Sequence, residues 1–133
     1  MANYLIKNGR VIDPANKIDD TLDILISGGK IEKAGKNLGG KAELIDARGM
    51  IVAPGLVDMH THLREPGRED EETVLTGTLA AIKGGFTSVA CMPNTEPPLD
   101  NPAVIKSLKD IIKRDAGANV FIISLTVGFK FSQ

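Results

Sequence analysis

The sequence predicts an α/β protein in two parts, a small all-β segment over residues 4–53 and alternating strands and helices over residues 56–127. Three observations carry this. Short apolar runs broken by glycine and polar turns fill the first part. Past Pro54-Gly55, apolar runs of strand length alternate with stretches of helical periodicity. No glycine-rich dinucleotide fingerprint follows the first of those later strands. A β-α-β-α-β order implies a parallel sheet with right-handed crossovers.

The elements follow in chain order. Tyr4-Leu5-Ile6 leads to Asn8-Gly9, then to Val11-Ile12 and a turn at Asp13-Pro14. Leu22 to Ile26, Ser27-Gly28-Gly29 and Lys30-Ile31-Glu32 read as a hairpin. Leu44-Ile45 and Met50 to Ala53 add strands, giving about five or six. Leu56 to His62 reads as a buried strand. Glu69-Asp70-Glu71-Glu72 places negative charge at a helix start, where the helix dipole favours it. That helix is expected over Asp70 to Lys83. Its apolar stripe is Leu75, Leu79 and Ile82, and Gly84-Gly85 ends it. Phe86 to Met92 is the next strand. Asn101 caps a second helix with Pro102 at its first position. Val104, Ile105, Leu108, Ile111 and Ile112 form its stripe, Gly117 ends it, and Val120 to Val127 is the third strand.

Bulk properties remove several functions. The 133 residues carry 16 basic and 17 acidic side chains, a net charge of -1. No basic excess exists to hold a phosphate backbone. The single cysteine, Cys91, excludes an internal disulfide. No apolar run approaches the roughly 20 residues of a membrane helix. Met1 to Arg10 lacks the pattern of a signal peptide, so a cytoplasmic location is expected.

The chemistry centres on Asp58-Met59-His60-Thr61-His62-Leu63-Arg64-Glu65-Pro66-Gly67. His60 and His62, the only histidines, share one face of a strand and can bind one metal ion, at about 2 Å if it is zinc. The alternative is an ordinary structural role for both. Asp58 shares their parity, and either orients a histidine or packs the strand. Arg64 is either a solvated loop charge or a bidentate clamp for a substrate carboxylate. Asn94 either makes a turn with Pro93 or completes that carboxylate pocket. Cys91, inside a strand, reads as packing rather than ligand. His60, His62 and Asn94 fall at the C-terminal ends of strands, where (β/α)₈ barrels keep their chemistry.

Pro54 to Gly67 resembles the signature of the dihydroorotase family within the amidohydrolase superfamily. Thr76-Gly77-Thr78-Leu79-Ala80-Ala81, Gly84-Gly85-Phe86-Thr87-Ser88-Val89 and Cys91-Met92-Pro93-Asn94-Thr95 continue it, and the likeness runs from about residue 3 to 120. It implies the first three β/α units of a (β/α)₈ metal-dependent hydrolase barrel over residues 54–133. Part of a small β-sandwich, residues 1–53, precedes them. It further implies zinc-dependent interconversion of dihydroorotate and N-carbamoyl-L-aspartate in pyrimidine synthesis. By the family's pattern, His60 and His62 bind the first of two zinc ions. Arg64 and Asn94 hold the substrate carboxylate, with His62 nearby.

The family also sets what is missing. Its members run to roughly three times this length. The remaining ligands and the general acid/base aspartate are expected beyond residue 133, so no catalytic residue is assigned within the chain. The tail after Phe121 departs from the pattern, and the chain alone is expected to be an inactive, unstable fragment. The other readings are an allantoinase- or hydantoinase-type cyclic amidase, a non-catalytic subunit and a small single-metal binding protein. The implied partners are the small-molecule substrate, further copies of the chain or aspartate transcarbamoylase, with no nucleic acid and no membrane.

Overall fold

The computed structural model describes residues 3–125, which fall into two compact units divided after Pro54. The first unit is one five-stranded sheet. Strand β1 (Tyr4–Asp13) is its centre. It pairs antiparallel with β2 (Ile18–Ser27), and parallel with β4 (Glu43–Asp46) and β5 (Ile51–Val52). β3 (Lys30–Gly35) lies on the far side of β2.

The runs at Tyr4 and Val11 belong to one strand rather than two. A register shift between Ile6 and Gly9, with Asn8 at φ 65°, absorbs the polar Asn8-Gly9 pair as a bulge. Gly28 and Gly29 turn the β2–β3 hairpin at φ 59° and 78°, a conformation that suits glycine. Leu5, Val11, Ile24 and Ala47 are buried. Asp23 is buried with them, accepting from the backbone N–H of Asn8 (3.2 Å) and Leu38 (3.0 Å) beside Lys7 Nζ (3.4 Å).

The second unit is a three-stranded parallel sheet, β6 (Leu56–Thr61), β7 (Phe86–Cys91) and β8 (Asn119–Ile122), in the order β6-β7-β8. Helix α1 (Val74–Lys83) joins the first two strands and α2 (Pro102–Asp115) the last two. The core lies on the helix side of the sheet: Leu63, Val74, Val89, Cys91, Leu99 and Leu108. The expected β-α-β-α-β order is present. The stretch expected as a third strand is β8 over Asn119–Ile122, and its Thr126 and Val127 lie outside the described residues.

Three expectations need correcting. The strand at Leu56 is not buried. Leu56, Val57 and Met59 are 53%, 60% and 77% exposed, because β6 is an edge strand among the described residues and its face away from the helices is uncovered. Helix α1 begins at Val74 rather than in the acidic run. Thr73 is its N-cap and exchanges hydrogen bonds with Thr76 in a capping box. The buried face of α1 is Val74, Thr78 and Ala81, one residue out of step with the stripe of Leu75, Leu79 and Ile82, which is about half exposed. Thr78 tolerates the core because its hydroxyl donates to Val74 O (2.6 Å) and accepts from Gly117 N–H (3.0 Å).

Helix α2 follows the sequence closely. Asn101 Oδ1 accepts from the N–H groups of Ala103 and Val104, both at 3.1 Å, and Leu108 is fully buried. The helix stops at Asp115, before Gly117. No helix among the described residues is long and apolar enough to cross a membrane.

Candidate metal and substrate site

The site is built at the C-terminal ends of β6 and β7. Asp58 pairs with Val89 and Thr61 with Cys91, so Met59 and His60 fill a space that β7 spans with Ala90 alone. This bulge re-aims the strand end. Val89 and Cys91 are buried under the helices, and strand partners at one level face the same side. Asp58 therefore faces the helix layer, where it lines a cleft of about 330 Å³ with Glu72 and Ala80 of the α1 region. The shared parity expected for Asp58 and the histidines is lost at the bulge. Its carboxylate accepts from the backbone N–H of His60 (2.9 Å), not from a ring.

His60 and His62 flank Thr61; both are exposed, and His62 also lines the cleft beside Asp58. Their ring centres are 5.1 Å apart at an interplanar angle of 67°. Rings so placed can each present a nitrogen to one ion at the ~2 Å of a zinc–imidazole bond. The second ring is fixed from behind, since His62 Nδ1 lies 2.8 Å from Asn94 Oδ1. An amide oxygen only accepts, so in the neutral ring Nδ1 carries the proton and Nε2 keeps its lone pair, the arrangement a metal ligand needs. Asn94 thus reaches the site from the end of β7. Among the described residues no group of three or more histidine, cysteine or carboxylate side chains is placed to hold a metal. The histidine pair fits one edge of such a centre.

Arg64 lies in the left-handed region at φ 61°, just past the strand. Its Nε is 3.1 Å from Glu71 Oε2, and the side chain is about one third exposed. Arg68 holds the other oxygen of Glu71. The acidic run therefore serves two arginines, and Glu71 is the residue the sequence reading missed. Seven residues apart in irregular chain, the pair leaves no periodic signal.

The turn after Arg64 is tied into the scaffold. Glu65 Oε2 accepts from Val74 N–H (2.8 Å) at the first turn of α1, where a negative charge is favourable. Pro66 O accepts from Glu96 N–H (3.0 Å), joining the loops after β6 and β7. Cys91 is fully buried in the core, and burial pushes its thiol pKa up. It is packing, as expected.

The family model described as dihydro-orotase-like matches residues 49–130. The chain belongs to the dihydro-orotase-like family. Among curated relatives of this dihydro-orotase-like chain, the dihydroorotase of Geotalea daltonii is 53% identical over 131 residues, covering 96% of the chain and 31% of the relative. That of Elusimicrobium minutum is 54% identical over 121 residues, covering 90% and 28%. Among solved structures, an L-hydantoinase (dihydropyrimidinase) from Arthrobacter aurescens superposes with a TM-score of 0.84 at 24% identity, covering 93% of the chain and 28% of its own. A dihydropyrimidinase from Brevibacillus agri gives 0.78 at 31% identity, covering 90% and 26%. The α/β architecture is thus that of amidohydrolases. The dihydro-orotase-like chain spans about a third of the length of the curated relatives it matches, 31% of the first.

Proposed function

We propose that this chain supplies the N-terminal part of a zinc-dependent dihydroorotase, which opens the cyclic amide of dihydroorotate to N-carbamoyl-L-aspartate and closes it again. On this reading residues 1–53 begin a small β-sandwich and residues 54–133 begin a (β/α)₈ barrel. The observation that carries it is the His60–His62 pair, braced by Asn94 at the ends of adjacent parallel strands. Sites of barrel enzymes occupy that end of the sheet. Identity favours dihydroorotase over hydantoinase chemistry. The chain is 53% identical to a dihydroorotase but 24% to 32% identical to hydantoinases of similar fold.

His60 and His62 would hold the first of two zinc ions. A zinc ion so held supplies Lewis-acid activation of water and of the amide carbonyl. Asn94 fixes the His62 ring and offers its amide to the substrate carboxylate. Arg64 gives that carboxylate a planar cationic partner. The remaining metal ligands and the general acid/base aspartate belong to the part of the relatives that this chain does not cover. A non-catalytic subunit would have no need of His60, His62, Arg64 and Asn94 together.

The test joins residues 1–120 to the complementary C-terminal part of the Geobacter sulfurreducens dihydroorotase, of which the chain covers 31%. The fusion should hydrolyse dihydroorotate, and His60→Ala should abolish turnover. A folded, metal-loaded fusion that opens allantoin or hydantoin but not dihydroorotate would overturn the proposal.

A further inference from the structure

We infer that Glu71 is a positioning residue for substrate binding: by holding Arg64 on its Nε edge, it aims the Nη edge of the guanidinium at the substrate's carboxylate. This rests on the reading of Arg64 as the carboxylate clamp. A guanidinium offers two edges, and an oxyanion takes one of them. Glu71 Oε2 sits 3.1 Å from Nε of Arg64, an ion pair on that edge of the guanidinium.

Glu71 is itself held. Its other oxygen belongs to Arg68, which also reaches Asp70 Oδ1 at 3.3 Å. A carboxylate bridging two arginines is a fixed strut rather than a competitor that swings away. The strut is anchored in the turn that the backbone bonds Arg68 N–H to Arg64 O (3.0 Å) and Glu71 N–H to Arg68 O (3.0 Å) hold together. Arg64 needs such a brace. Its side chain is long and flexible, its backbone is left-handed at φ 61°, and only one third of its side chain is exposed. Without Glu71 the guanidinium would lie beside Arg68 with no anion between them, and like charges would drive it from its present place.

The reading is tested in the fusion protein described above, with dihydroorotate as substrate. Glu71→Gln keeps the shape and removes the charge. It should raise KM about tenfold, as loss of an outer partner of a binding group does, while kcat stays within about twofold. Glu71→Asp should recover most of the loss. Arg64→Ala is the control for the underlying reading. If Arg64→Ala leaves KM unchanged, Arg64 is not the clamp and both ideas fall. If Arg64→Ala raises KM but Glu71→Gln does not, only the positioning role falls. A Glu71→Gln protein that loses kcat together with thermal stability, with no recovery in Glu71→Asp, would show a merely structural role and overturn it as well.

Discussion

His62 and Asn94 join the ends of two parallel strands through a 2.8 Å contact between Nδ1 and Oδ1. With Asn94 Oδ1 as the acceptor, the neutral ring carries its proton on Nδ1 and leaves Nε2 its lone pair. Replacing Asn94 by alanine should weaken metal binding by roughly 10- to 100-fold, the usual effect of removing such a partner. Asn94→Asp keeps an acceptor for Nδ1–H, so it should retain the metal. It should still bind dihydroorotate poorly, because two carboxylates would face each other. Competition with a chromogenic chelator reads the first effect and KM the second. Metal affinity unchanged in Asn94→Ala would remove the bracing role.

Gly67 stands at φ 106°, and a β-carbon there would collide with the carbonyl oxygen of Glu96. Neither the conformation nor the space admits a side chain. Gly67→Ala should therefore cost about 3 kcal/mol or more, by forcing apart the loops after β6 and β7. Gly39→Ala is the matched control, since nothing lies within 4 Å of where its β-carbon would stand and its φ is not positive. That substitution should stay within about 0.5 kcal/mol. Urea midpoints of the two variants decide the matter, and equal midpoints would contradict the clash.

Val57, Met59 and Phe121 are 60%, 77% and 61% exposed. In the sheet register Val57 stands level with Ser88, and Phe121 with Ala90, on the side away from the buried Val89 and Cys91. An apolar face of this kind is an association surface. The isolated 133-residue chain should elute above its monomer mass of 14.2 kDa and bind a hydrophobic dye. Met59→Gln with Phe121→Ser should reduce both signals. A monomer with a sharp unfolding transition and well-dispersed amide resonances would argue against this.

Period-two spacing put His60 and His62 on one side of the chain, and their ring centres are 5.1 Å apart, although β6 ends at Thr61 between them. Asn101-Pro102 marked the start of α2 because capping chemistry is local. The errors came where two answers share one pattern. On α1, Val74-Thr78-Ala81 and Leu75-Leu79-Ile82 have identical spacing, and a threonine in the core set hid the true face. The bulge after Asp58 is invisible to spacing, since it depends on the pairing with β7. The Arg64–Glu71 pair is likewise set by a turn with no period. Glu69 to Glu72 looked like a helix start, but Asp70 and Glu71 pair with arginines, Glu69 accepts from Gly67 N–H and Glu72 from the Thr76 hydroxyl.

Asp23 supplies the pH prediction. Burial alone would raise its pKa, but the N–H groups of Asn8 and Leu38 and the Lys7 ammonium outweigh that and hold the carboxyl below the ordinary carboxylate range. A group whose folded pKa is depressed stabilises the fold while it is ionised. The contribution is complete above the unfolded value of about 3.9, and it is lost as the pH falls through the lower, folded value. Stability measured by urea unfolding should therefore decline on the acid side, below about pH 5. Asp23→Asn removes this carboxylate from the balance. The variant should be less stable at neutral pH, because an amide cannot accept from three donors as a carboxylate does. Its acid limb should also be flatter. An acid limb as steep as wild type in Asp23→Asn would show that the exposed, ion-paired aspartates, such as Asp19 beside Arg10 and Asp20 beside Lys36, govern the decline instead.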